Sequence, residues 1–163
     1  MNRKLCAGLV VVFGLLIAGC IKEETAATCD LKPATSDTAQ MKQYIKDSAI
    51  NAVVDSSNWV MWQVIREGTG ARPEPNSQVT IKYMGRLLTG QGFDSSSAKN
   101  PDGIILRLNG AIPGLYLGLS RIREGGAIKL LIPSAQAYGC DARYGSLANQ
   151  PLFFNIELVK VSN

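Results

Sequence analysis

The segment 110–126, with the sequence GAIPGLYLGLSRIREGG, constrains the fold of this chain more than any other stretch. Its large apolar residues recur every three or four positions, as they do along one face of a helix: Ile112, Leu115, Leu119 and Ile122. Pro113 suits the first turn of such a helix, and the glycine pair at 125–126 suits its end. Because strand-like segments flank it on both sides, the sequence predicts one short helix packed against a sheet that curls around it.

Five segments of alternating apolar and polar residues predict five β-strands. Their central apolar residues are Trp62, Ile81, Leu106, Leu130 and Ile156. In the second of these strands Tyr83 is predicted to point inward. The pair Phe93-Asp94 falls where a strand gives way to a serine-rich loop. Together these elements describe a small α+β domain.

Ahead of the strands, the sequence predicts an amphipathic helix from Thr38 to about Val54. Its apolar positions are Met41, Tyr44, Ile45, Ala49 and Val53. Either Ser36 or Asp37 could cap this helix, because both side chains accept hydrogen bonds from the backbone of a first turn.

The first 20 residues are typical of an export signal. Residues 1–4 carry two positive charges, and residues 5–18 are nearly all apolar with no acid among them. The apolar run is short for a membrane-spanning helix of ~20 residues, which is the alternative interpretation. It ends at LIAGC (16–20), which resembles the lipobox of bacterial lipoproteins. The resemblance implies a signal peptide that is removed and a lipid on Cys20. Because Ile21 rather than Asp follows, it also implies an anchor in the outer membrane of the cell envelope, facing the periplasm.

The stretch after Cys20 has hardly any large apolar residue, which predicts a flexible tether. What remains is long enough for one domain of ordinary size. The predicted organisation is a signal peptide (1–19), a tether (20–37), a helical segment (38–58) and one domain (59–163).

Composition excludes several classes of function. Lys and Arg number 17 against 13 acids and are scattered, so nothing indicates nucleic-acid binding. The chain has no histidine. No Ser-His or Cys-His nucleophile can therefore form, the commonest transition-metal ligand is missing, and we expect neither a metal nor a cofactor. Cys29 and Cys140 could form a disulfide in an oxidising compartment, or could lie too far apart to pair.

A series of motifs between about Trp62 and Val161 carries a resemblance to a known family. In chain order they are VIREGTG (64–70), VTIKYMG (79–85), GFDSS (92–96), LRLNGAIPG (106–114), LLIP (130–133), AYG (137–139) and FNIEL (154–158). Any one of them is a weak signal. In this order, over about a hundred residues, they resemble the FKBP family of peptidyl-prolyl cis/trans isomerases.

The resemblance implies a half-wrapped antiparallel five-stranded sheet around one short helix, with an apolar cleft between them that receives a proline ring. The implied substrates are X-Pro bonds of unfolded or partly folded exported proteins, and macrolides of the tacrolimus type are implied inhibitors. The positions that match the family's catalytic residues are Tyr83, Phe93, Asp94, Ile112, Tyr138 and Phe154. Those that match substrate-binding positions are Ala111 and Leu115. Because the segment from Thr38 is short for a dimerising helix, we expect a monomer.

The chain departs from the family's usual pattern at three places. Leu115 stands where a tryptophan usually forms the cleft floor, and GSLANQP (145–151) replaces an Ile-Pro-Pro-like run in the overhanging loop. Lys99 is the nearest candidate for the arginine that often holds the acid of the Phe-Asp pair. These departures keep a second hypothesis open, a lipid-anchored chaperone or binding module with an FKBP-like cleft and little or no turnover. A structural envelope lipoprotein is the third.

Overall fold

The computed structural model describes residues 29–163. The predicted signal peptide, the predicted lipidation site Cys20 and the tether up to residue 28 lie outside the described residues. The helices are α1 (Thr38–Asp47) and α2 (Pro113–Leu119). The strands are β1 (Val53–Val54), β2 (Met61–Arg66), β3 (Gln78–Leu87), β4 (Gly92–Ser95), β5 (Ile104–Arg107), β6 (Ala127–Ile132) and β7 (Leu152–Ser162). Between residues 29 and 163, no helix is both long and apolar enough to cross a membrane.

The strands form one antiparallel sheet in the order β1-β2-β6-β7-β3-β4. β5 pairs with the first half of β3. The predicted α+β class, an antiparallel sheet around a short helix, is confirmed. The described sheet has seven strands rather than five, because β1 and β4 were not predicted as strands. β1 has only two residues, and β4 has Phe93 as its one large apolar residue, so neither shows an alternating apolar pattern.

Helix α2 packs on the concave face of the sheet, directly against β6. A side chain at Gly114 would clash with Ile132, and one at Gly118 would clash with Leu130, so these two glycines let the helix backbone approach the strand closely. The helix begins at Pro113 as predicted but ends at Leu119, before the predicted stop at the glycine pair.

The residues that follow α2 explain this difference. Ile122 continues the apolar spacing and is fully buried, yet it lies in a turn beyond the helix. Gly125 belongs to the connection to β6, where its φ of +82° favours glycine and its N–H donates to the Leu158 carbonyl at 2.8 Å. The apolar spacing therefore predicted burial correctly but overestimated the length of the helix.

Helix α1 covers the opposite face of the sheet. Met41 is fully buried there with Met61 and Leu131, and Tyr44 packs its ring 5.2 Å from that of Phe153. The sheet thus has a hydrophobic cluster on each face, and the strands in the middle supply both by alternation.

Helix α1 ends at Asp47, seven residues before the predicted end at Val54. Ala49 adopts a left-handed conformation with φ of +49°, and the Ile50 N–H donates to the Ile45 carbonyl at 3.0 Å, which closes the helix. This turn sends Ile50 back into the second cluster. Val53, assigned to the helix by its spacing, begins β1 instead.

Asp37 precedes α1, but its side chain does not cap the helix. It is 6% exposed, and its carboxylate accepts hydrogen bonds from the Ser134 N–H at 2.7 Å and the Ser134 hydroxyl at 2.6 Å. Residues 34–37 form a 3₁₀ turn. The described end of the predicted tether is therefore attached to the domain.

Candidate functional site

An open cavity of about 390 Å³ lies between the end of β5, the start of α2 and the loop that follows β6. Its lining is mainly apolar, with one charged residue. The lining residues are Leu106, Arg107, Gly110, Ala111, Ile112, Leu115, Tyr138 and Tyr144. Four of the eight predicted site residues therefore line one cavity: Ala111, Ile112, Leu115 and Tyr138.

The other predicted residues, Tyr83, Phe93, Asp94 and Phe154, do not line this cavity, but the three aromatic ones pack in the same hydrophobic cluster as Leu115. Phe93 meets the edge of Phe154 with ring centres 5.6 Å apart, and Tyr83 lies 6.1 Å from Phe154. Gly85 makes room for these rings, because a Cβ there would approach Phe93 to 2.7 Å and Phe154 to 3.0 Å. Sequence reasoning placed the aromatic residues in one site but gave no role to Gly85.

A hydrogen-bonded triad forms the polar edge of the site. The Tyr83 hydroxyl donates to Asp94 at 2.6 Å, and the Lys99 ammonium lies 2.8 Å from each carboxylate oxygen of Asp94. The buried hydroxyl of Ser96 accepts the Tyr83 N–H at 2.9 Å and so fixes the backbone that carries Tyr83. Lys99 is therefore the cation that holds Asp94, as considered from the sequence, and its single ammonium contacts both carboxylate oxygens.

The triad holds Asp94 ionised. Burial raises the pKa of Asp94, but hydrogen bonds from Lys99 and Tyr83 outweigh burial, so its pKa lies below the ordinary carboxyl value. Burial, followed by the hydrogen bond to Asp94, raises the pKa of Tyr83. Near neutral pH the triad is thus a carboxylate, a protonated phenol and an ammonium.

Tyr138 and Tyr144 form one wall of the cavity. Their rings stack at 4.3 Å with an angle of 28°. Burial raises the pKa of Tyr138, and the charge of Asp94 adds to the increase, so its hydroxyl stays protonated. Sequence reasoning missed Tyr144, which is 44% exposed and supplies apolar surface in the region where the usual Ile-Pro-Pro-like run is absent. Its only sequence signal is a lone aromatic residue in a polar loop.

The start of α2 supplies the floor and the rim of the cavity. Leu115 is 9% exposed and lies on the floor. The Ala111 N–H donates to Leu108, whereas the Ile112 N–H has no backbone acceptor among residues 29–163. Of the two rim amides, that of Ile112 is available to a bound peptide.

The loop that carries Tyr138 is also tied to the N-terminal segment. The structure pairs Cys29 with Cys140 in a disulfide, with Cα atoms 5.1 Å apart. This contact joins the described start of the chain to a residue two positions beyond Tyr138.

The sequence model of the FKBP-type peptidyl-prolyl cis-trans isomerases matches residues 70–159. The FKBP-type peptidyl-prolyl cis-trans isomerase FkpA of Escherichia coli is 37% identical over 131 residues, which cover 80% of this chain and 48% of FkpA. A probable FkpA of Neisseria meningitidis is 31% identical over 132 residues, with 78% of this chain and 47% of that protein covered.

Solved structures give the same result. The crystal structure of Escherichia coli FkpA matches with a TM-score of 0.68 and 34% identity, covering 79% of this chain and 61% of that chain. A peptidyl-prolyl cis-trans isomerase from Pseudomonas syringae matches with a TM-score of 0.65 and 30% identity, covering 82% and 98%. The chain spans about half the length of the curated relatives it matches. The family resemblance carried by the motifs is confirmed: this chain belongs to the FKBP-type peptidyl-prolyl cis-trans isomerase family.

Proposed function

We propose that the protein catalyses cis/trans rotation of X-Pro peptide bonds in exported proteins at the cell envelope. One observation carries the proposal. An apolar cavity is bordered by two donors, the Tyr138 hydroxyl and the Ile112 N–H, for which residues 29–163 supply no acceptor. A peptide laid across the cavity could satisfy both donors while its proline ring contacts apolar surface.

The proposed chemistry suits a site without histidine. Rotation about an X-Pro amide passes through a twisted state with reduced resonance, over an uncatalysed barrier of ~18–20 kcal/mol. No proton moves and no bond breaks. An apolar surface favours the less dipolar twisted amide over the solvated planar one, while fixed donors hold the chain on either side of the proline.

Seven of the eight predicted cleft residues have a role in this proposal; the exception is Ala111, whose N–H already donates to Leu108. Phe93 and Phe154 pack on the proline ring above the floor at Leu115. The Tyr138 hydroxyl and the Ile112 N–H donate to substrate carbonyls. Asp94 stays ionised and orients Tyr83 at the polar edge.

The location follows from the N-terminal sequence. We place the protein in the bacterial cell envelope, anchored in the outer membrane by a lipid on Cys20 and facing the periplasm. The disulfide between Cys29 and Cys140 supports this placement, since disulfides persist in oxidising compartments. We propose a monomer that binds unfolded or partly folded proteins, but no nucleic acid.

Tacrolimus-type macrolides are the proposed inhibitors, because they would present an apolar ring to the same cavity. Calorimetric titration should show binding that competes with a proline peptide. Absence of both heat and competition would contradict the assignment of the cavity.

The test of the function is the cis-to-trans conversion of a short Xaa-Pro peptide by the full chain, purified in mild detergent. We expect a rate that increases with protein concentration and falls in a folded Asp94→Val variant. If micromolar protein adds nothing to the background rate, the isomerase proposal is wrong. Protection of an unfolded protein from aggregation would then favour the binding module, for which the smaller floor residue Leu115 is the supporting observation.

A further inference from the structure

Arg107 is the one charged residue of the cavity lining. It is exposed at the end of β5, where the strand register places it opposite the uncharged Gln78. The five ion pairs of residues 29–163 all use other cations. The guanidinium therefore borders the cavity without an acidic partner from the described part of the chain.

Asp94, the acid of the polar edge, does not compensate this charge. Asp94 is held by the Lys99 ammonium at 2.8 Å and by the Tyr83 hydroxyl, so the triad contributes one negative and one positive charge. Tyr138 is protonated near neutral pH, because burial raises its pKa. The cavity and its polar edge together carry one unbalanced positive charge, which is that of Arg107.

We infer that Arg107 makes the cleft prefer proline bonds that have an acidic residue next to the proline. The inference rests on the proposed isomerase function and assigns a substrate class to it. A carboxylate can receive two parallel hydrogen bonds from a guanidinium, and a lysine at the same position would be repelled. Because the guanidinium is exposed, we expect a preference of about two- to fivefold between acidic and neutral substrates.

The test measures kcat/KM of the full chain in mild detergent on two series of proline peptides. One series places Glu, Gln or Lys before the proline, and the other places them after it. We expect the order Glu, Gln, Lys in at least one series, and a smaller spread at about 0.5 M salt, because salt screens exposed charges. Arg107→Gln should remove the order, so that the Glu, Gln and Lys peptides of each series are turned over at similar rates.

Arg86→Gln is the matched control. Arg86 is also exposed, but its neighbour Gly85 faces Phe93 and Phe154, so Arg86 points to the other side of β3. This variant removes the same charge and should keep the order of the wild type. Equal rates within both series, or an order that survives in Arg107→Gln, would overturn the inference.

Failure of the isomerase proposal can be distinguished from failure of this inference. If no peptide is turned over, the isomerase proposal fails, and the same peptides are titrated as ligands. Tighter binding of a Glu peptide that is lost in Arg107→Gln would then support the role of Arg107, whereas equal dissociation constants would overturn it.

Discussion

Neighbouring residues of β6 and β7 point to opposite faces of the sheet, and the two faces have different surroundings. On the concave face, Leu130 and Phe154 join the cluster that includes Leu115 and borders the open cavity. On the opposite face, Leu131 and Phe153 are closed off by α1. A seven-residue helix covers the first face and a ten-residue helix the second.

The difference shows how one strand can serve both stability and binding. Alternation sends successive side chains to opposite faces, so a strand buried on both sides supplies two clusters at once. The shorter helix leaves part of its face open. The two donors, the Tyr138 hydroxyl and the Ile112 N–H, and the carboxylate of Asp94 lie near that opening. On the opposite face Met41, Met61 and Leu131 are fully buried, and we propose that this face serves stability alone.

Paired substitutions at Phe154 and Phe153 should give the largest difference in activity between the two faces. Both are nearly buried, at 3% and 6% exposure, so either Phe→Ala change should lower the free energy of unfolding by about 3–5 kcal/mol. Phe154→Ala should also reduce kcat/KM by about ten- to hundredfold, because the proline ring loses a packing surface. Phe153→Ala should leave kcat/KM of the folded fraction near the wild-type value.

Urea unfolding and peptide isomerisation provide the two measurements. The milder Phe→Leu pair serves if the alanine variants do not fold at the assay temperature. Equal losses of kcat/KM in the two variants would show that the faces are not functionally distinct.

Asp37→Ala should weaken the attachment of the N-terminal segment without affecting the cleft. The change removes the acceptor for the N–H and the hydroxyl of Ser134, and we expect a loss of about 1.5–3 kcal/mol in the free energy of unfolding. Asp30→Ala, at an exposed acid of the same segment, should change stability by no more than about 0.5 kcal/mol. Similar urea midpoints for the two variants would contradict the structural role of Asp37.

Leu115→Trp should make the cleft a better catalyst. The larger ring would fill part of the cavity floor and give the proline ring more apolar contact, raising kcat/KM by about two- to tenfold. Leu117→Trp is the control, since Leu117 lies on the same helix but does not line the cavity. A folded Leu115→Trp variant with unchanged or lower turnover would mean that the floor does not limit activity.

The pH profile of kcat/KM should be flat between about pH 5 and pH 9. The pKa of Asp94 is lowered, so the contribution of its carboxylate is present above the ordinary carboxyl pKa and is lost only as the pH falls through the lowered folded value. The pKa values of Tyr83 and Tyr138 are raised above 10.0, so both donors persist on the alkaline side.

Lys99→Met should move the acid limb of this profile to higher pH, because it removes the cation that keeps Asp94 ionised. A wild-type profile that titrates near neutrality, or an acid limb that stays in place in Lys99→Met, would contradict the ionisation assigned to the triad.

Much of the fold was predictable because each of the five predicted strands has buried or half-buried apolar residues. The alternating segments located five strands, and the helical spacing identified Leu119 and Ile122 as buried. The ends of the helices were less predictable. Ile122 continues the helical spacing from within a turn, and Val53 does so from within a strand. Periodicity records burial and does not distinguish the backbone conformation that achieves it.

The site was predictable where a motif of the family fixes a residue's position, and less so elsewhere. The resemblance assigned Asp94 to the site and made Lys99 the nearest candidate for its cation. Tyr144 and Arg107 were not found, because an aromatic residue in a polar loop and an outward arginine on a strand are ordinary surface residues. Only the fold shows that both border the cavity.

The catalytic role of the cleft is tested most directly by exchange between the cis and trans forms of a proline peptide, followed by NMR at equilibrium with catalytic amounts of the full chain. We expect faster exchange with unchanged cis and trans populations. We also expect that Phe154→Ala, or its leucine equivalent, loses most of the acceleration and that the matching Phe153 variant retains it. Exchange at the uncatalysed rate, or equal acceleration by both variants, would contradict the claim that the concave cleft is the catalytic surface.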